Sequence, residues 1–107
     1  MLTTLGVENQ ISQTMDRIRL SALVLGQLTS LYGMSGLSQP RISQALSGAK
    51  PLDNQKGQQL LNLVREIERM CDEIRGDHGL PVLLNDSVQI KQMLDARRSA
   101  RKLMETI

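Results

Sequence analysis

Apolar residues recur every three or four positions along most of this chain, a pattern that predicts a protein built of helices. The first such stretch begins at Glu8 and carries Ile11, Met15 and Ile18 on one face. Residues 1–7 show no clear period, so we expect them to form a frayed lead-in.

A denser apolar run at 20–25 leaves two interpretations open, a bend into a second helix or the buried centre of one long helix. Gly26 does not choose between them, because one glycine costs a helix only about 1 kcal/mol. The next helical positions are Leu28, Leu31 and Tyr32. Gly33 and Gly36, two glycines within four residues, then predict a turn.

The most informative stretch is 38–51, which has the signals of a short helix. Ser38 is suited to cap its start, and Pro40 is tolerated because first-turn amides lack an intrahelical acceptor. Gly48 and Pro51 predict its end. The inward stripe is formed by Ile42, Ala45 and Leu46. The remaining positions are polar with few charges, which suits the reading of base edges better than the neutralisation of phosphates.

Two further helices are predicted towards the C-terminus. The stretch Leu52-Asp53-Asn54 supplies a cap for a long amphipathic helix that ends near Arg75. Its central stripe is formed by Leu60, Val64, Ile67, Cys71 and Ile74. Its outer face is predicted to pair Arg65 with Glu68, Arg69 with Asp72 and Glu73, and Asp72 with Arg75. Residues 76–81 have the composition of a loop. The apolar residues 82–84 are too few to assign to an element, and an apolar strap packed on the core is one interpretation. The stretch Asn85-Asp86-Ser87 is suited to cap a last helix with basic residues in its second half. Its apolar positions are Val88, Ile90, Met93, Leu94, Leu103 and Met104.

Composition supports an all-α fold in one domain. The 107 residues include no Phe or Trp and a single Tyr, so the core is aliphatic, and runs of β-branched residues are missing. The net charge of +2 permits an anionic partner without requiring one. We expect 1–85 to form the main domain and 86–107 to add a C-terminal helix for dimerisation or for a protein partner.

Candidate chemistry other than binding is sparse. The single cysteine, Cys71, excludes an intramolecular disulfide and lies on a core stripe. The single histidine, His78, has no second ligand nearby in sequence, so we expect neither metal nor cofactor. No nucleophile–base pair or phosphate-binding glycine loop indicates an enzyme. A secretory leader and an apolar run long enough for a membrane span are missing, which predicts a cytoplasmic protein.

The stretch from Leu28 to Leu60 resembles the lambda-repressor and Cro-like family of helix-turn-helix regulators from phages and bacteria. The matching features are a turn glycine, then Leu37-Ser38-Gln39, Arg41-Ile42-Ser43-Gln44-Ala45-Leu46 and Ser47-Gly48. The resemblance implies an all-α helix-turn-helix domain of four to five helices with an additional C-terminal helix. It also implies a recognition helix over about 38–47.

The resemblance departs from the family pattern at the turn. Gly33 and Ser38 are five residues apart, so we take Met-Ser-Gly as an insertion, with Thr29 at the small position of the preceding helix and Tyr32 buried. The competing register uses Gly36 as the turn glycine, which places Gly33 inside a helix. Pro40 also stands where related proteins often carry a polar base-contacting side chain.

Carried over residue by residue, the resemblance implies a double-stranded DNA interface. Gln39 and Gln44 would bind base edges, for which glutamine is suited through adenine N6 and N7. Pro40 would touch a thymine methyl. Phosphates or flanking bases would be contacted by Arg41, Ser43, Ser47 and Lys50. The competing interpretation is an ordinary solvated helix face.

Two functions follow as expectations. The first is a sequence-specific transcriptional regulator, by analogy a repressor, that binds a palindromic operator as a homodimer. We expect its dimer interface on the last helix, at Ile90, Met93, Leu94, Leu103 and Met104. The second is a small protein-binding inhibitor or antitoxin-like module on the same scaffold, favoured by the low basic content. The basic cluster 97–102 would then bind an acidic protein, or DNA in the first function, or simply be a solvated helix end.

Overall fold

The computed structural model describes residues 6–78 and 86–105, although not the side chains of 77 and 78. They form five helices: α1 Val7–Ile18, α2 Ala22–Leu31, α3 Gln39–Leu46, α4 Asn54–His78 and α5 Ser87–Glu105. Because these ranges contain helices and no strand, the all-α prediction is confirmed. The predictions for residues 1–5 and for the apolar strap at 82–84 fall outside the described residues.

The apolar run at 20–25 is a bend into a second helix. Arg19 adopts a left-handed conformation with φ 57°, and the N–H of Leu20 turns back to the carbonyl of Met15 at 2.9 Å. The left-handed Arg19 and this hydrogen bond end α1 in the manner usually associated with glycine. The Ser21 hydroxyl then accepts from Val24 N at 3.2 Å and caps α2. In the sequence, the apolar residues around Ser21 made it difficult to recognise as a helix cap.

The three predicted helix caps are confirmed. The Ser38 hydroxyl accepts from Arg41 N at 3.4 Å, and the Asp53 carboxylate accepts from Lys56 N at 2.8 Å. The Asp86 carboxylate accepts from two amides in the first turn of α5, at 3.1 and 3.2 Å. Each cap satisfies N–H groups that have no intrahelical acceptor.

The end of α4 lies beyond the predicted one. The helix passes Arg75 and continues to His78, so the loop predicted to start at Gly76 is wrong for its first three residues. A lone glycine lowers helix stability by only about 1 kcal/mol, and the rest of a long helix can offset that loss. The residues after His78 that were predicted to continue this loop are not described.

One core joins all five helices. The buried cluster draws on all five helices, and Ile42 is the member that α3 contributes. Helix α1 packs mainly on α4, and α2 packs on both α3 and α5. The predicted stripe of α4 is confirmed by the burial of Leu60, Val64, Ile67 and Cys71. Helix α5 therefore shares the core of the preceding helices.

Two of the expected dimer-interface residues need correction. Ile90 is 2% exposed and Leu94 is fully buried, and both belong to the cluster formed with α1, α2 and α4. They are enclosed by their own chain, so a second copy does not reach them while α5 stays in place. The sequence showed an apolar stripe on this helix but not which molecule covers it.

The charged side chains of α4 pair more with residues of other helices than with one another. Glu68 pairs with Arg17 of α1 at 2.8 Å, and Glu73 pairs with Arg97 of α5 at 2.7 Å. Of the predicted pairs along α4, Asp72 with Arg75 is found, at 3.9 Å. The others are replaced: Arg65 donates to Gln10 at 2.8 Å, and Arg69 lies 4.0 Å from Glu66.

Among the described residues, none of the helices combines the length and the apolar character that crossing a membrane requires.

Candidate nucleic-acid interface

Helix α3 is held by a narrow inner side. Ile42 and Ala45 are buried, Leu46 is half-buried, and the helix packs on α2 and α1. Its outer side carries the predicted polar residues. The predicted inward stripe is confirmed, so the polar face is turned away from the core.

A glycine sets the distance between α2 and α3. A Cβ built on Gly26 would lie 2.7 Å from the backbone nitrogen of Gln39 and 2.9 Å from its Cα, which real Cβ atoms do not tolerate. The small position therefore belongs to Gly26, whose role the sequence did not reveal. Thr29, expected at that position, is one turn further on and fully buried, and its hydroxyl bonds the carbonyls of Gly26 and Leu37.

The turn begins at Gly33, as the preferred register predicts. Gly33 has φ 71°, its N–H donates to Ser30 O at 3.1 Å, and Met34 N donates to Thr29 O at 2.8 Å. This pair of bonds is a Schellman motif with glycine in the left-handed position. Gly36 is also left-handed, with φ 82°, and the Lys56 ammonium lies 2.9 Å from the place of a Cβ on it.

The first turn of α3 presents Gln39 and Pro40. Gln39 is half-buried and its Nε2 donates to the Ser43 hydroxyl at 3.0 Å, so these two expected contact residues are joined. One amide hydrogen and the carbonyl oxygen of Gln39 remain for another partner. Pro40 is exposed beside it.

The second turn presents Gln44 and Ser47, both exposed. The Ser47 hydroxyl donates to the carbonyl of Gln44 at 3.0 Å and so closes the helix end. Gly48, with φ 84°, follows and ends α3 as predicted. The Gln44 side chain has no hydrogen-bond partner within the described parts of the chain, which leaves its amide available.

Arg41 holds the loop after α3. Its guanidinium donates to the carbonyls of Lys50 and Pro51 at 2.5 and 2.9 Å. Those bonds commit two of its five N–H groups to the protein itself. Lys50 is exposed, and its position relative to α3 is fixed by this clamp. Arg41 thus has a positioning role that the sequence did not indicate.

The basic residues at the end of α5 are largely engaged within the chain. Arg97 pairs with Glu73 at 2.7 Å, and Arg101 pairs at 3.1 Å with Glu66, whose side chain is 10% exposed. Arg98 stacks on the ring of Tyr32 at 4.7 Å. Only Lys102 of this cluster is exposed with no such contact in the described residues.

Tyr32 joins the end of α2 to α5. It is half-buried rather than buried, and its hydroxyl donates to Asp95 at 3.2 Å. Removal from water, with a smaller contribution from the Asp95 carboxylate, raises the pKa of Tyr32 to about 12. The hydrogen bond from Lys91, at 2.6 Å, is the main reason that the pKa of Asp95 is lowered.

The large apolar side chains that stay exposed on α5 are Val88, Leu103 and Met104. Of the three other expected interface residues, Met93 is half-buried against the core, whereas Leu103 and Met104 are 67% and 78% exposed. The last turn of α5 thus carries two large apolar side chains in solvent.

No cluster of three or more histidine, cysteine or acidic side chains suited to a metal ion occurs in residues 6–78 and 86–105. Cys71 is buried, and burial raises the pKa of its thiol, which disfavours the reactive thiolate.

Comparison with protein-family models, with curated proteins and with solved structures gave no match.

Proposed function

We propose that this protein is a sequence-specific DNA-binding transcriptional regulator that uses the outer face of α3 as its recognition surface. The observation that carries the proposal is the arrangement of α3: a short capped helix, fixed on α2 at Gly26, with Gln44 exposed and Gln39 half-buried on its polar outer side. A polar helix that protrudes from a rigid support suits insertion into a major groove.

In this proposal Gln39 and Gln44 bind base edges. The bond from Gln39 to Ser43 restricts the amide before DNA arrives, which lowers the entropy lost on binding. Pro40 offers an apolar contact for a thymine methyl. Ser47 lies at the C-terminal end of α3 and Lys50 in the loop after it, and in this proposal both contact phosphates.

A homodimer on a palindromic operator follows from the size of the surface. One recognition helix buries little area on DNA, and specific affinity generally comes from two half-sites about one helical turn apart. Leu103 and Met104 are the most exposed large apolar side chains in the described residues, and we place the dimer contact there. Repression by occlusion of a promoter, in the cytoplasm and without enzymatic activity, is the simplest action of such a protein.

A second candidate is a protein-binding inhibitor or antitoxin-like module. The observation that favours it is the internal pairing of Arg97 and Arg101, which leaves few free cations for an anionic duplex. The exposed end of α5 would then bind the partner protein.

Electrophoretic mobility shift of the DNA upstream of its own coding region tests the choice. A shift at low salt supports the regulator, and no shift of any fragment from that region favours the second candidate.

A further inference from the structure

An open cleft of about 380 Å³ lies where the turn after α2 meets α4 and α5. Its polar lining comes from Tyr32, Gln59, Asn62, Glu66 and Arg98. None of these side chains belongs to α3, and the proposed DNA contacts use none of them. The cleft thus has a separate set of hydrogen-bonding groups.

Arg98 is held against the ring of Tyr32. The guanidinium carbon lies over the Tyr32 ring, 4.7 Å from the centroid, and the side chain has no hydrogen bond or ion pair within the described residues. The cation–π contact restrains the guanidinium, and its N–H groups remain for a ligand. A restrained guanidinium of this kind is a good partner for carboxylate or phosphate oxygens.

The acidic groups near Arg98 are neutralised by other cations. Glu66 is paired with Arg101 at 3.1 Å and lies 4.0 Å from Arg69. Asp95 is paired with Lys91 at 2.6 Å. Neither carboxylate forms an ion pair with Arg98, although the charge of Arg98 contributes to the lowered pKa of Asp95.

Two amide side chains converge on the same space. Gln59 and Asn62 are three residues apart on α4, so they lie on one side of the helix. Both are exposed, and their amides have no hydrogen-bond partner in the part of the chain that is described. Each offers both donors and an acceptor, which suits hydroxyl or amide groups beside an anion.

We infer that this cleft binds a small polar anion that carries a carboxylate or phosphate group. The anionic group pairs with the rim of Arg98, and the rest of the ligand meets Gln59 and Asn62. The volume is at the small end of the range for ligand sites, which fits a metabolite-sized anion. The inference does not rest on the proposed DNA function, because the cleft lining includes none of the proposed DNA contacts and binding can be measured without DNA.

Tyr32 makes the test direct. It is the only tyrosine in a chain without tryptophan, so intrinsic fluorescence reports on the cleft alone. Inorganic phosphate and succinate are the two probes, each titrated at constant ionic strength against chloride. We expect a saturable change with half-saturation in the millimolar range for at least one probe. Saturation by one probe alone identifies the anionic group.

Matched variants separate a site from a general salt effect. Arg98→Gln should weaken the response at least tenfold, whereas Lys102→Gln, the same charge change on an exposed residue of α5, should leave it unchanged. Because Arg98→Gln also alters the stack on Tyr32, the double variant Gln59→Leu, Asn62→Leu provides a second test and should weaken binding several-fold. A linear response shared by the parent and all variants would overturn the inference.

Discussion

Gly26 of α2 and Gln39 of α3 touch backbone to backbone, with 2.7 Å between the place of a Gly26 Cβ and the Gln39 nitrogen. This contact fixes where the recognition helix starts. Any side chain at residue 26 must push α3 outwards, since the atoms it meets are mostly main chain.

The substitution Gly26→Ala should destabilise the protein, although alanine is ordinarily the better helix former by about 1 kcal/mol. Overpacking of this kind typically costs about 1–3 kcal/mol, and here it exceeds the gain in helix propensity. Gly76→Ala is the matched control, because no atom lies within 4 Å of a Cβ at that helical position. It should stabilise by about 0.5–1 kcal/mol. Urea unfolding measures the change in the free energy of unfolding for both variants. A change of the same sign in both would argue against the close contact.

The phenol of Tyr32 should ionise near pH 12 in the folded protein, as its raised pKa indicates, compared with about 10 in denaturant. The folded state then holds the proton more tightly than the unfolded state. Its contribution to stability is fully present below pH 10 and is lost as the pH rises towards 12.

Ultraviolet absorbance of the phenolate measures this ionisation without interference, since no tryptophan or second tyrosine is present. Asp95→Asn should lower the pKa of Tyr32, because the negative charge beside the phenol is removed. Ionisation near pH 10 in the folded parent would mean that α5 does not cover the ring.

Arg41 and Lys50 should respond differently to truncation. Arg41→Ala removes the bonds to the carbonyls of Lys50 and Pro51, so we expect a loss of about 1 kcal/mol in stability. Lys50→Ala should leave stability unchanged and flatten the salt dependence of DNA binding by about one ion. Thermal unfolding and affinity at several salt concentrations measure the two effects. A flatter salt dependence of DNA binding in Arg41→Ala would indicate that Arg41 also contacts a phosphate.

Substitutions at the centre of α5 and at its end should separate the effect on folding from the effect on dimerisation. Leu94→Ala, in the core, should cost about 2–5 kcal/mol of stability. The double variant Leu103→Asp, Met104→Asp should fold normally and be monomeric by light scattering, because both side chains are already in solvent. A folded dimer from that variant would place the interface elsewhere.

Local chemistry explains what the sequence could predict. Ser38, Asp53 and Asp86 were recognisable as caps because a cap depends on a side chain and amides two or three residues away. Gly33 was recognisable for a similar reason: the left-handed turn after α2 favours glycine whatever packs around it.

Tertiary contacts explain what the sequence could not predict. Gly26 matters because of its contact with Gln39, thirteen residues further along the chain. The ion-pair partners of Glu66 and Glu73 lie on α5. Ile90 and Leu94 have the same spacing whether a second copy or the chain's own core covers them. Helical periodicity identifies an apolar face but not its neighbour.

The measurement that tests the central proposal most directly is DNA binding by the double variant Gln39→Ala, Gln44→Ala. Fluorescence anisotropy with the upstream DNA and with an unrelated duplex, at one salt concentration, gives the ratio of the two affinities. We predict that the parent prefers the upstream DNA and that the variant, folded and with its weak binding to the unrelated duplex intact, loses that preference. Gln89→Ala, an exposed glutamine on α5, should keep it. A parent with no preference, or a variant that retains it, would contradict the assignment of α3 as the recognition helix.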